Sequence, residues 1–446
     1  MLLGKMFLGA TGIPMEKIAR MRTEFEDWLP EPLTVAAWKV RSLIVICGTE
    51  PLTVHLCTAG PTRDSKFPIP SFLVRVVVPK EIEPGEERVA LTPVAAGKLV
   101  ATGAEVVIQA GAGGEAFPDH LYSEGGARIA SGNAVYEDAD VVLKVRKPQV
   151  AEVVQLPEGS SLIAFLQPLT SPELVRALAA RKVTSYSLES VPRITRAQAM
   201  DALSSQATIS GYKAVLIAAN SLGKLFPMLM TAAGTVTPAR VLVMGAGVAG
   251  LQAIATARRL GAVVEAFDVR AAAKEEVKSL GAAFIELELE TQEGTGGYAR
   301  EQSEEFLTKQ RELIAERVAQ ADVVITTALI PGRPAPKLVT AAMVERMRPG
   351  SVIVDIAAEN GGNVELTEPG KVVIRHGITI HGILNPASLA PVHASELFAK
   401  NVTNLLALLT KDGALAPDLE DDIVKGSCIT RGGEIVHPAT LKAMEG

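Results

Sequence analysis

The sequence predicts an α/β protein of two domains, each a parallel sheet flanked by helices, joined by a long linker helix with a ligand cleft between them. Three observations predict it. Short β-branched runs alternate with helical patterns from residue 74 to residue 388, the alternation that builds parallel sheets with crossover helices. One of these units carries G-x-G-x-x-G between a strand and a helix. A long, mostly apolar helical pattern at 204–228 stands between an earlier and a later series of β/α units. At 446 residues the chain has room for two or three domains, each with its own core.

Residues 1–73 stand apart. They hold two of the three Cys and both Trp, Trp28 and Trp38, with scattered Pro and no sustained periodicity. Leu43–Cys47 has strand composition, but nothing around it builds a unit. The opening MLLGKMFLGATG makes a poor secretory signal, because acids and Arg follow at once. The segment reads as an extension, disordered or artefactual. Regular structure begins at Leu73. Strands are expected in LVRVVVPKE, AEVVIQAGAG, DADVVLKVRKP and SSLIAFLQPL, with helices in GEERVALTPVAAGKLVATG, near 119–138 and at 171–181. After the linker pattern, strands are expected at Val241–Met244 and Val263–Phe267, and in AAFIELEL, ADVVITTALI, GSVIVDIA and HGITIHGI. The helical pattern from His393 to Leu409 returns to the first domain, and 423–438 reads as a terminal hairpin. The domains are then 1–73, an extension; 74–203 with 390–446; and 204–389.

Composition excludes several classes. Hydrophobic residues make up 48%, charged residues 21%, and net charge is −6, which argues against a nucleic-acid surface. Three Cys without a CxxC suggest a reducing compartment, and six His without ligand spacing suggest no metal site. No apolar run reaches the ~18–20 residues of a transmembrane helix, so direct membrane insertion is not expected.

The glycine segment, VLVMGAGVAGLQAIATARRLGAVVEAFDVR at 241–270, carries the strongest chemistry. Gly245 permits the tight turn, Gly247 lets the backbone approach a pyrophosphate, and Gly250 lets the helix pack close to the strand. The diphosphate would sit on free N–H groups at the helix start, where the macrodipole favours an anion. Asp268 follows Gly247 by 21 residues, a spacing that suits an acceptor for the adenosine ribose hydroxyls. Its charge repels a 2′-phosphate, so the reading is NAD(H); Arg270 counts against that inference, because it could pair with such a phosphate. Both domains are then expected to be Rossmann-like, with NAD(H) in the cleft between them.

A second polar segment, PRITRAQAMDALSSQA at 192–207, precedes the linker helix. A loop here would face the cleft. Hydride transfer needs a carboxamide held in one rotamer and no nucleophile–base pair. Gln198 and Ser204 have groups suited to holding a carboxamide, and Arg193 and Asp201 could orient Gln198 as a salt-bridged support. The competing reading is structural: Thr195 as helix N-cap with Gln198 as its capping-box partner.

Several motifs carry a family resemblance: RVVVPKEIEPGEERVALTP, VLKVRKPQ, RAQAMDALSSQATISGYKAV, MGAGVAGLQAIATARRLGA, AFDVR, GTGGYA, TTALIPGRPAPKLV and DIAAENGGN. From Arg75 to Leu409 the chain resembles the NAD(H)-binding domain of the proton-translocating NAD(P) transhydrogenase family, which is related to alanine dehydrogenase. The resemblance implies that Arg193, Gln198 and Asp201 form the loop at the nicotinamide end, with Ser204 as its serine. It puts a mobile loop with a closing Tyr at Gly297 and Tyr298. It puts adenosine-side contacts at Val248, Asp268, Val269 and Arg270, with Ala328 and Leu329 on a later strand end.

Alanine dehydrogenases use a Lys and a His for substrate chemistry, and the matching positions here hold Arg146 and Gln167. An always-charged Arg and a non-titrating Gln cannot run the proton transfers of oxidative deamination. Lys144 and Lys147 would lie on the opposite strand face from Arg146. Arg88 matches the dehydrogenase's carboxylate-binding Arg and is read as a structural ion-pair residue. The resemblance therefore implies an oxidoreductase component that passes a hydride directly between NAD(H) and NADP(H) on a partner domain. It implies a homodimer docked on membrane-spanning subunits that translocate protons, peripheral on the cytoplasmic face of a bacterial inner membrane. The chain, having no transmembrane helices, resembles the split-subunit form. The alternatives are an alanine dehydrogenase-like amino-acid oxidoreductase and a non-catalytic NAD-binding module.

Overall fold

Two doubly wound sheets with the same strand order organise the chain from Phe72 onward. The structure, a computed structural model, describes residues 74–286, 304–330 and 332–445, of which 304–308 are described as helical backbone only. It also describes the backbone of strands Val40–Cys47 and Glu50–Cys57. Those two strands pair antiparallel in a unit of their own, so the strand read at Leu43–Cys47 has a partner that composition did not reveal.

The first sheet begins with the β-branched run Arg75–Val78, buried on both faces as a central parallel strand should be. In chain order its parallel strands are Arg75–Val78, Glu105–Gln109, Arg128–Ala130, Val141–Leu143, Ser161–Ala164 and Thr184–Ser187. They lie side by side in the order 3-2-1-4-5-6. The hairpin Cys428–Arg431 with Glu434–Ile435 adds an antiparallel edge beside Thr184–Ser187. The hairpin read at 423–438 is thus narrower than expected, framed by helices Asp422–Ser427 and Pro438–Glu445.

The second sheet repeats the order with Arg240–Met244, Val263–Phe267, Ala283–Phe284, Val323–Thr326, Val352–Asp355 and Ile378–Gly382. An antiparallel edge, Val372–Arg375, pairs with Ile378–Gly382.

The linker helix spans Ala202–Ser221. Its N-terminal Ala202 packs in the first sheet's core, while Ala214, Val215 and Ala218 pack in the second. It stops short of residue 228. The chain beyond it forms a small hairpin, Leu229–Thr231 with Gly234–Val236, exposed at every position. The returning helix, Pro391–Leu409, buries Phe398, Val402, Leu405 and Leu409 in the first sheet's core, as its apolar spacing predicts. Burying four such side chains stabilises the lobe by roughly 1.5–3 kcal/mol each. Among the described residues no helix is long and apolar enough to cross a membrane.

Candidate functional site

In a 3-2-1-4-5-6 sheet the crevice opens where the order reverses, between the first and fourth strands at their C-terminal ends. In the second sheet those ends are Met244 and Thr326, and the glycine turn lies there. Gly245 has φ +103°, which L side chains rarely adopt. Its missing Cβ would stand 2.6 Å from Thr327 Oγ1, while a Cβ on Gly250 would stand 1.8 Å from Gly245 O. Gly247 is different: nothing lies within 4 Å of where its Cβ would be. It caps the helix Val248–Arg259, whose first turn has no acidic residue and no side-chain cap. These donors fit the diphosphate of a dinucleotide, with a clear approach over Gly247. Gly211 of the linker helix supports the turn from behind, where a Cβ would meet Ala249 O at 2.0 Å. Val248, Val269 and Leu329 are exposed apolar side chains around this turn and its neighbouring strand ends.

Asp268 ends the second strand, as the spacing predicts. Its carboxylate is already engaged within the protein. Oδ2 accepts from Ala246 N at 2.7 Å and Arg270 Nη2 at 3.1 Å. Oδ1 accepts from Arg270 N at 2.8 Å and Arg270 Nε at 3.0 Å. Burial alone would raise its pKa, but the Arg270 and Ala246 donors hold it below the usual aspartate range. Ala328, on the fourth strand's extension, is pinned by Asn363, whose Oδ1 accepts from Ala328 N and whose Nδ2 donates to Ala328 O, both at 2.9 Å. Buried Asp355 in turn accepts from Asn363 N, Val364 N and Thr367 Oγ1. The DIAAENGGN segment marks the family resemblance, but sequence reasoning misses this role of Asn363 within it. Its signal is an acid followed by two glycines and an amide.

The segment at 193–204 folds as a 3-10 turn, Thr195–Met200, running into the linker helix. Thr195 lies inside that turn, so the capping-box alternative does not hold. Asp201 is the cap instead, accepting from Ser204 N at 2.9 Å and from Ser204 Oγ at 2.6 Å. The structure therefore brings Asp201 and Ser204 together. It joins neither Arg193 nor Gln198 to Asp201 through side chains, because the Asp201 carboxylate is spent on the helix start. Gln198 and Arg193 are exposed with no side-chain hydrogen bond among the described residues. Asn401 and Asn404 of the returning helix both donate to Ala199 O, at 2.9 and 3.1 Å, holding the turn's backbone. Gly297 and Tyr298 lie outside the described residues.

The first sheet's crevice is filled with charge. Arg88 is buried and donates to Glu86 through Nε at 2.7 Å and Nη2 at 2.6 Å, to Gln206 Oε1 at 2.8 Å and to Asn385 Oδ1 at 2.9 Å. It is a structural ion-pair residue, as read from the sequence. Arg146 pairs with Glu86 at 3.2 Å and with Glu359, from the second sheet's loop, at 2.9 Å. Burial alone would lower the Arg146 pKa, yet the Glu359 and Glu86 carboxylates keep it raised and charged. Lys144 follows its strand into the interior, between Glu81 at 3.3 Å and Glu152 at 3.0 Å. Gln167 sits at φ +51° with its backbone N–H donated to Glu189.

A doubly wound sheet ending its first strand in a glycine turn, with an open helix start and an acid on the second strand, is a dinucleotide-binding module. The chain belongs to the alanine dehydrogenase/PNT family: residues 77–210 match that family's N-terminal domain and 214–438 its C-terminal domain. It is 52% identical over 378 residues to the first portion of the NAD(P) transhydrogenase alpha subunit of Rhodospirillum rubrum, a separate chain there, covering 82% of this chain and 98% of that one. It is similar to the crystal structure of transhydrogenase from Sinorhizobium meliloti, with TM-score 0.75, 48% identity, and coverage of 81% of this chain and 100% of the other. More distantly, it is 31% identical to alanine dehydrogenase of Bacillus subtilis, covering 82% of this chain and 93% of that one.

Proposed function

We propose that this protein is the NAD(H)-binding component of a proton-translocating NAD(P) transhydrogenase. One observation carries the choice over an amino-acid dehydrogenase. The two positions where the dehydrogenase's Lys and His align hold Gln167 and an Arg146 locked between Glu86 and Glu359. Neither can shuttle a proton to a substrate. The likeness to the transhydrogenase alpha subunit over 98% of that relative's length supports the same choice.

The glycine turn holds the diphosphate on the helix start at Val248, with Gly245 and Gly250 shaping the turn and Gly247 keeping the approach clear. Asp268 accepts the ribose hydroxyls, and Val248, Val269, Arg270, Ala328 and Leu329 surround the adenosine. Gln198, exposed beside the capped start of the linker helix, fixes the carboxamide; Arg193 flanks it, and Asp201 with Ser204 sets the loop that presents it. Gly297 and Tyr298 close over the nucleotide. The nicotinamide, when bound, supplies or accepts the hydride. This chain's residues contribute orientation, a contribution that is large when two reactants must meet in one geometry. NADP(H) belongs to a partner domain, and protons move through membrane-spanning subunits on which this chain docks from the cytoplasmic face. The chain works as a homodimer. The uncharged hairpin at 229–236 supports that, because a two-stranded ribbon with every residue exposed has little stability of its own.

The test is hydride transfer between NADH and an NADP⁺-loaded partner domain, with and without alanine. Transfer that requires the partner and ignores alanine is expected. Replacing Gln198 by Asn should slow it about tenfold, a loss of ~1.4 kcal/mol at the transition state. Alanine-dependent NADH formation by the isolated chain would overturn the proposal. Unchanged transfer by the Gln198→Asn protein would remove Gln198 from the mechanism.

A further inference from the structure

The pairing of Asp268 with Arg270 goes beyond a ribose-binding acid. A carboxylate offers about four lone-pair positions. Four N–H groups fill them here: Ala246 N, Arg270 N, Arg270 Nε and Arg270 Nη2. Two of these donors are backbone, fixed by the glycine turn and by the chain two residues on. The other two belong to one guanidinium, whose Nη2 also donates to Ala246 O at 3.2 Å. The Arg270 side chain is 59% exposed, whereas that of Asp268 is 8% exposed. The fork therefore covers the carboxylate from the solvent side and spans the rim of the turn.

An incoming ribose diol meets no free acceptor until that fork swings away. A 2′-phosphate meets an anion whose neighbouring cation has already committed its donors. Arg forks bind phosphate well when they are free, because their planar donors match its oxygens.

We propose that Asp268 and Arg270 form one discrimination unit: Arg270 is a displaceable occupant of the ribose-accepting carboxylate, and it becomes a 2′-phosphate ligand only when Asp268 loses its charge. NAD(H) is selected by exchanging two side-chain hydrogen bonds for two hydroxyl bonds at no net loss of partners. NADP(H) is refused because its phosphate finds the guanidinium engaged and the carboxylate facing it. This rests on the dinucleotide reading of the glycine turn.

The experiment is equilibrium titration of the full chain with NADH and with NADPH, followed by nicotinamide fluorescence, for wild type, Asp268→Asn, Arg270→Ala and the double variant. Wild type is expected to prefer NADH. The Asp268→Asn protein should gain roughly tenfold in NADPH affinity, or ~1.4 kcal/mol, and the double variant should lose that gain. The Arg270→Ala protein should bind NADH as tightly as wild type or up to about threefold tighter, since its competitor is gone. An NADPH gain that survives in the double variant would overturn the proposal, as would no gain in a folded Asp268→Asn protein. A roughly tenfold loss of NADH affinity in Arg270→Ala would also overturn it, because Arg270 would then be a ligand and not an occupant. That arm decides alone if Asp268→Asn does not fold, as Arg270 is exposed. Wild type that binds neither nucleotide would instead overturn the dinucleotide reading itself, and this inference with it.

Discussion

The two sheets share one strand order and end it in opposite ways. At the second sheet's crevice, between Met244 and Thr326, the chain offers a glycine turn, an uncapped helix start and open space over Gly247. At the first, between Val78 and Leu143, Glu81 reaches across to Val145 N and Lys144, and the network of Arg88, Glu86 and Arg146 lies beside it. The hollow left there, lined by residues such as Lys80, Glu87 and Gly111, measures about 160 Å³. Ligand pockets run to ~300–1,000 Å³, so this one is too small for a dinucleotide. Topology supplies two equivalent crevices, and side chains decide which is open. The filled crevice also ties the lobes together, because Arg146 meets Glu359 and Glu86 meets Asn385 across them.

Four substitutions break or sharpen that contrast. Gly250→Ala has the largest expected effect, because its Cβ would stand 1.8 Å from backbone oxygen that cannot yield cheaply. A loss of ~4 kcal/mol or more in denaturant unfolding is expected, along with loss of NADH binding.

Lys144→Met acts at the other crevice and leaves Glu81 and Glu152 buried without their cation. Unfolding at neutral pH should show a loss of ~3–5 kcal/mol, while the folded fraction still binds NADH. Burial already raises the Glu81 pKa against the pull of Lys144. A raised carboxyl stabilises the fold below its unfolded pKa, and that contribution fades as pH rises through the folded value. The gap between variant and wild type should therefore narrow from about pH 8 to about pH 5.

Asn363→Ala removes the two bonds that pin Ala328 and should cost ~1–3 kcal/mol, with weaker NADH binding in titration. Asp201→Ala removes a helix cap worth ~1 kcal/mol, read as a lowered melting temperature, and Asp201→Asn should restore most of it. If Asp201→Asn melts like wild type yet slows hydride transfer, its charge serves the nicotinamide loop beyond capping.

Much of the second sheet is legible in the sequence because local signals agree there. Strand, glycine turn, helix and acid all fall within 241–270, and each constrains the next. The returning helix is legible from its apolar spacing. What the sequence hides has physical causes. Thr184–Ser187 is a buried strand written in Thr, Ser and Tyr, so it lacks the apolar run that marks its neighbours. Arg128–Ala130 is too short to show a period. The apolar pattern of the linker runs on to residue 228, past the end of the helix at Ser221, because the residues that follow stay apolar while Gly223 and Pro227 end the helix. At the site, the Arg146–Glu359 pair joins residues 213 apart, which no local pattern encodes. Asp201 does not support Gln198 as expected, because a nearer partner, the helix start at Ser204, claims the carboxylate first.

The most direct test of the account is NADH titration of three full-length proteins: wild type, Gly250→Ala and Arg146→Met. Binding should be present in wild type, absent from Gly250→Ala, and retained in Arg146→Met wherever that protein is folded. Binding that survives in Gly250→Ala and disappears from folded Arg146→Met would place the nucleotide at the first crevice and contradict the account.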